Sequence, residues 1–182
     1  MTGTLDGSQT HKLVIEGLFG PVFNVVKTKE LMEKELLSNL SIDCITLQYN
    51  QDSINEIKKA KYMDEIKWLT QKKSRNNFIT NLCEDINKMS PDDKVFLIHG
   101  GTDTEQRERI RNIVDAESKA ILVASYGTCS TGINIRNINN IVFASPSKSV
   151  VRVLQSIGRG LRKTKTKDKV KLYDISDDLS QL

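Results

Sequence analysis

The segment Gln155-Ser-Ile-Gly158-Arg159-Gly-Leu-Arg162 holds the densest set of chemically capable residues in this 182-residue chain. Arg159 and Arg162 stand three apart, so on a helix they share one face. A guanidinium is always charged, and its planar fork of donors matches phosphate oxygens two at a time. Two of them together suit an arginine-finger role, in which positive charge reaches a transferring phosphoryl group at its transition state. Arg162 is the first candidate for that charge and Arg159 its assistant. Gln155 and Gly158 would shape the contact, with Gly158 letting another surface come close. The competing reading is an ordinary exposed basic helix.

Two further segments join an apolar run to a small, polar turn. Ala120 to Ala124 leads into Ser125-Tyr-Gly127-Thr128-Cys-Ser130-Thr131-Gly132-Ile133-Asn134, rich in hydroxyls. Val95 to Ile98 leads into His99-Gly100-Gly101, with Gln106-Arg107-Glu108-Arg109 beyond it. Paired glycines let backbone N–H groups approach phosphates. His99 reads as a hydrogen-bonded histidine at a turn, ahead of a general acid or base. From Arg152 to Lys171 the chain carries eight basic residues and one acid, Asp168. Such a block attracts phosphate, although Lys163 to Lys169 alone reads equally as a solvated loop before a strand.

These turns need elements to hold them. Asp6 to Leu18 reads as a helix closed by Gly20 and Pro21, and Pro21 to Val26 as a strand. Thr28 can cap a helix from Lys29 to Leu37. Ile42 to Tyr49 alternates like a strand, and Asp52 to Met89 is helical in its apolar spacing. Ser90 to Asp93 is a turn. Val95 to Ile98, Ala120 to Ala124, Ile138 to Ala144 and Val170 to Ile175 are predicted strands. Helices are predicted from Thr104 to Val114 and from Ser147 or Ser149 to Leu161. Strands alternating with helices give an α/β fold, a parallel sheet with helices on both faces. In such sheets ligands bind at the carboxyl ends of the strands, where all three motifs are expected to fall.

The pattern Q-x-x-G-R-x-x-R resembles motif VI of superfamily 2 helicases, and the Ser125 to Ile135 segment resembles their motif V. His99-Gly100 with Gln106 to Arg109 resembles the strand-His-Gly turn and following helix of the same family. Thr2-Gly3-Thr4 resembles motif III, which couples ATP hydrolysis to the nucleic-acid site. The motifs come in the family's order. Within the family the resemblance runs to the phage UvsW helicases, through Thr2-Gly-Thr-Leu, Gly17-Leu-Phe-Gly-Pro21, Arg75-Asn-Asn-Phe-Ile79, Val123-Ala-Ser-Tyr-Gly127, Ser130-Thr-Gly132 and Leu154-Gln-x-Ile-Gly-Arg159.

The resemblance implies a RecA-like fold of the P-loop NTPase type, with residues 1–27 ending a first motor domain and linker and 28–182 forming the second. It implies ATP and Mg2+, gripped mainly by an N-terminal RecA-like domain. Gln155, Gly158, Gly132 and Asn134 would meet the nucleotide, and Asn134 stands where many relatives have Asp. His99, Gly100, Gly101, Arg109, Ser125, Thr128 and Thr131 would touch a nucleic-acid backbone, with Arg107 near the same strand. The implied activity is ATP-dependent unwinding, fork reversal and branch migration of branched or single-stranded DNA. A non-catalytic nucleic-acid or partner-binding module derived from a helicase is the alternative.

Two departures matter. The chain has no G-x-x-x-x-G-K-[ST] and no Asp-Glu-x-His or Asp-Glu-x-Asp, so alone it is expected neither to hydrolyse ATP nor to unwind. Between the Phe78 to Met89 helix and the Val95 strand the family has a strand and helix, motif IV, for which only Ser90 to Lys94 remains. Either that unit is deleted or Phe78 to Met89 packs where its helix would lie. Bulk properties fit a soluble chain in the cytoplasm, that of the host if phage-encoded. The net charge is +4, no run is long enough for a membrane span, and Met1 to Gln9 lacks a signal-peptide pattern. Three scattered cysteines and two histidines make a metal site improbable and suggest reduced, mostly buried thiols.

Overall fold

The computed structural model describes residues 9–21, 23, 26–88, 93–117, 119–131, 135–164 and 167–180, without the side chains of His11, Cys129, Ser130 and Thr131. The elements run α1 (Gln9–Phe19), α2 (Thr28–Glu33), β1 (Asn39–Gln48), α3 (Gln51–Ile57), α4 (Tyr62–Gln71), α5 (Lys73–Asn87), β2 (Lys94–Ile98) and α6 (Thr104–Ala116). They continue with β3 (Ala120–Ala124), α7 (Tyr126–Thr131), β4 (Asn140–Phe143), α8 (Val150–Gly160) and β5 (Lys169–Asp178). The α/β alternation is the expected one, and every strand pairing is parallel.

Among the described residues the strands form two sheets, β1-β5-β4 and β2-β3. No described strand lies between α5 and β2, and β4 pairs directly with β5. Helix α5 spans the seam. It packs on β3, while its Arg75 reaches the other sheet: Nε and Nη2 donate to the two Asp177 oxygens at 2.8 and 2.9 Å, and Nη2 to the Ala144 carbonyl at 2.8 Å. Tyr49 Oη donates to the same carboxylate at 2.6 Å. Arg75 and Asp177 side chains are only 2% and 5% exposed. At that depth a charge is tolerated only when paired and fully hydrogen-bonded. Burial works against the Arg75 charge, and the bonds and charge of Asp177 outweigh it, raising its pKa. Burial, then Asp177, likewise raises Tyr49.

Each sheet has its own core. In β5, Val170 and Leu172 are buried on one face, the face of Phe143 of β4, and Ile175 is buried on the other. Ile98 and Ile135 centre the second cluster, with Ile110 and Val114 of α6, Leu122, Ala124 and Ile138 around them. The other face of β2-β3 carries Val95 opposite Ile121 and Leu97 opposite Val123. That face lines a cleft of about 810 Å³ against Ile79 and Cys83 of α5, and Val95 and Leu97 remain largely exposed.

Several boundaries differ from the sequence reading. Helix α2 ends at Glu33 because Glu35 turns left-handed (φ 56°) and Leu37 enters a bridge with Arg162. Thr28 is its first residue, not its cap. Asp103, rather than Thr104, caps α6 by accepting from the Gln106 N–H at 2.8 Å. Ser149 caps α8 as expected, accepting from the Arg152 N–H. The helical span from Asp52 breaks into three helices. Pro21, Phe23 and Val26 are not in a strand, and the residues between them lie outside the described ones. Cys44 is exposed rather than buried, and Cys83 is half-buried, its thiol pushed up by burial.

Candidate functional site

The turn after β2 is closed by its own residues. His99 Nδ1 accepts from the Gly101 N–H at 3.0 Å, and Thr102 Oγ1 accepts from the His99 N–H at 3.0 Å. A Cβ on Gly101 would meet His99 Cε1 at 3.0 Å, so a larger residue there would press on the imidazole. Arg107 donates to the carbonyls of Gly100 and His99 at 2.9 and 3.4 Å. Its guanidinium therefore faces the turn, not an outside strand. Arg109 is the outward one, 74% exposed and loosely paired with Glu105 at 3.5 Å.

Beside it, at the end of β3, Ser125 Oγ and Thr128 Oγ1 lie 2.8 Å apart, and the Thr128 N–H points at Ser125 Oγ at 3.4 Å. The hydroxyl-rich loop is thus the start of the short helix α7. Thr128 is buried while Ser125 is exposed, so Ser125 is the hydroxyl a ligand can reach. The Ser125 N–H reaches the Ile98 carbonyl at 3.4 Å, which sets this loop next to the His99 turn. Gly132 and Asn134 lie outside the described residues, as do Thr2, Gly3 and Thr4, and nothing is described of the Thr131 side chain.

Helix α7 packs on α8, which carries Gln155, Gly158 and Arg159. The arginines, however, lie at the other end of the sheet. A helix that joins parallel strands runs antiparallel to them, so α8 leaves the carboxyl end of β4 and finishes beside the amino ends of its neighbours. Gly160 marks that end: a Cβ there would sit 2.6 Å from Ile141 Cδ1 and 3.1 Å from Val170 Cγ2. Gly158 has nothing within 4 Å and opens outward. The expectation that all three motifs share the carboxyl edge is corrected: the His99 turn and Ser125 loop lie there, and the arginine pair about one helix length away.

Arg162 is also outside α8. The helix stops at Gly160, and Arg162 bridges Leu37, so Arg159 and Arg162 do not share a helical face. The carbonyls at this exit are taken by two residues the sequence reading missed. Lys167 Nζ donates to the Gly160 carbonyl, and to that of Arg162 at 3.1 Å. The Ser38 N–H donates to Leu161 O at 2.8 Å, and its hydroxyl to Arg162 O at 3.4 Å. Ser38 is 0% and Lys167 3% exposed. Burial pulls the Lys167 pKa down to about 8. The basic block is accordingly not one phosphate-facing patch. Lys167 is internal, Lys163 lies 3.4 Å from Glu35, and Lys171 lies 2.7 Å from Asp43.

The sequence profile of the helicase conserved C-terminal domain matches residues 10–164. The chain belongs to that family. Its RecA-like fold follows, with parallel strands flanked by helices. The ATP-dependent DNA helicase uvsW of Enterobacteria phage T4 is 31% identical over 199 residues, taking in 97% of this chain and 40% of that protein. The chain therefore spans about two-fifths of this relative's length. The matched stretch is longer than the 182-residue chain itself, so the relative carries residues that this helicase domain lacks. A crystal structure of the C-terminal part of the Fun30 ATPase domain is 13% identical over 81% of this chain and 37% of that one, and its TM-score of 0.43 makes it too distant to add weight.

Among the described residues of the helicase domain, no group of three or more His, Cys, Asp or Glu could hold a metal ion. No described helix is long and apolar enough to cross a membrane. At the carboxyl edge Ser125 and Arg109 are exposed, whereas the Gly101 N–H and the Gly100 carbonyl are already bonded to His99 and Arg107.

Proposed function

We propose that this domain is the second motor domain, residues 28–182, of an ATP-dependent DNA helicase or translocase, with residues 1–27 belonging to the preceding motor domain and linker. The observation that carries the reading is the fixed exit of α8, which sets Arg159 and Arg162 on the Ser38 and Lys167 bonds at one end of the domain. Arg162 would stabilise the γ-phosphoryl transition state of ATP bound on a partner N-terminal RecA-like domain, with Arg159 assisting. Gln155, Gly158, Gly132 and Asn134 would border the nucleotide. Mg2+ would neutralise phosphate charge when bound, and the residues of this chain supply only the guanidiniums.

At the carboxyl edge His99, Gly100, Gly101, Arg109, Ser125, Thr128 and Thr131 would follow a DNA strand by its backbone, which carries little sequence information. Thr128 would serve by holding Ser125. Thr2, Gly3 and Thr4 would couple the two sites. Branched recombination or replication intermediates are the proposed substrates, on the likeness to uvsW. The chain alone carries no P-loop and would not turn over ATP. Action in the cytoplasm, of a phage host where phage-encoded, completes the reading.

The test is DNA-stimulated ATP hydrolysis by this domain together with a P-loop-bearing motor domain, with and without Arg162→Ala. Loss of turnover by two or more orders of magnitude, with ATP binding kept, supports the assignment. Unchanged turnover removes it. The division of the strands into two sheets favours the second reading, a non-catalytic nucleic-acid-binding module; DNA binding with no ATP turnover under any pairing would select that reading.

A further inference from the structure

The exit of α8 holds more polar machinery than a helix end requires. A helix leaves its last four carbonyls without partners, and the common remedy is a left-handed glycine or asparagine just past the end. None is used here: Leu161 is right-handed (φ −72°, ψ −9°), and the only left-handed residues among the described ones are Gly20, Glu35 and Lys88. The chain instead brings in a serine from before β1 and a lysine from before β5. Both are buried, Ser38 at 0% and Lys167 at 3% exposed, where an ammonium is costly unless it is fully bonded.

Their bonds fall on consecutive residues. Lys167 holds the carbonyls of Gly160 and Arg162, and Ser38 those of Leu161 and Arg162. The antiparallel bridge from Leu37 to Arg162, with the one from Thr164 to Lys167, closes the loop around them. Arg159 is the residue before this clamp and Arg162 its last member. The backbone under both guanidiniums is therefore fixed from two distant parts of the sequence.

We propose that Ser38 and Lys167 are positioning residues for the arginine pair: by holding the three carbonyls from Gly160 to Arg162 they set where Arg159 and Arg162 present their guanidiniums to phosphate. The inference rests on the phosphate-binding reading of those arginines. It adds that the pair is useful only while the backbone beneath it is clamped. A bidentate guanidinium contact is sensitive to errors of about an ångström, and helix ends fray.

The experiment uses the full chain and inorganic pyrophosphate as probe. Arginine Nε–H signals, assigned through Arg159→Lys and Arg162→Lys, are followed by nuclear magnetic resonance during titration, at a temperature where circular dichroism shows every variant folded. Wild type is expected to shift at both arginines with one dissociation constant. Lys167→Met, which keeps the aliphatic stem, is expected to weaken binding about tenfold or more, Ser38→Ala to weaken it by less, and Lys167→Arg to restore most of it. Equal binding by folded Lys167→Met and wild type overturns the inference while leaving the arginine site intact. Should Lys167→Met fail to fold, Ser38→Ala decides on the same criterion. No response of either arginine in wild type overturns the phosphate reading, and the inference falls with it.

Discussion

The strongest single-residue commitments in this domain are two buried cations with opposite accounts. Arg75 is matched: Asp177 and the Ala144 carbonyl take its donors, and Tyr49 takes a further lone pair of the carboxylate. Asp177→Ala would leave that guanidinium buried without its counter-charge, and a loss of about 3–5 kcal/mol is expected. Urea denaturation measures it; a loss under 1 kcal/mol would mean that the network relaxes. Lys167 is held by carbonyls, those of Gly160 and Arg162, and no described carboxylate pairs with it. Its folded pKa, down to about 8, lies below the ordinary 10.5. Below pH 8 both folded and unfolded chains hold the proton, and folding bears the full burden of burying it. Between 8 and 10.5 the unfolded chain holds more protons, so this residue makes stability rise with pH. The gain is at most about 3 kcal/mol, less whatever the carbonyl bonds give back to the charged form. Urea midpoints from pH 7.5 to 9.5 should rise in wild type relative to Lys167→Met; parallel profiles would remove the assignment.

At the scale of elements, glycine spacing misled in an instructive way. Gly158 stands out in the sequence because it precedes an arginine, yet it is Gly160 that lets α8 touch the sheet. A methyl at Gly160 must displace Ile141 and Val170, an overpacking of about 1–3 kcal/mol. A methyl at Gly158 points into open space inside a helix, where alanine gains up to about 1 kcal/mol. Thermal melts of Gly160→Ala and Gly158→Ala should therefore move in opposite directions. Most strands were legible, because their apolar runs and flanking turns are local signals. The break of the Asp52 to Met89 span, the early end of α2 and the Ser38–Lys167 clamp were not. Each depends on partners far away in sequence: Leu37 meets Arg162, Ser38 meets Leu161, and Arg75 meets Asp177. A run of alternating lysines likewise hides which one turns inward until β5 fixes the register. The family was legible in the sequence, but the placement of Ser125 and Arg159 toward opposite ends of α8 required the direction of the crossover.

For the whole molecule, the notable feature is a sheet in two parts with one apolar face of β2-β3 left thinly covered. Leu97 is 62% exposed, whereas Ile98, its neighbour on the opposite face, is 0% exposed. Alternation along a strand puts successive side chains on opposite faces, so the two residues report separately on the open cleft and the closed core. Ile98→Ala should cost about 2–5 kcal/mol, because it empties a site packed by α6 and β3. Leu97→Thr removes apolar surface that water already reaches, places a β-branched residue in the strand, and should change stability by under about 0.5 kcal/mol. An uncovered apolar face beside an unpaired strand edge also invites association, so Leu97→Thr should raise the concentration at which light scattering detects aggregates. If Leu97→Thr instead destabilises the fold as much as Ile98→Ala, the face is covered in solution, and the sheet is more nearly continuous than its hydrogen bonds indicate.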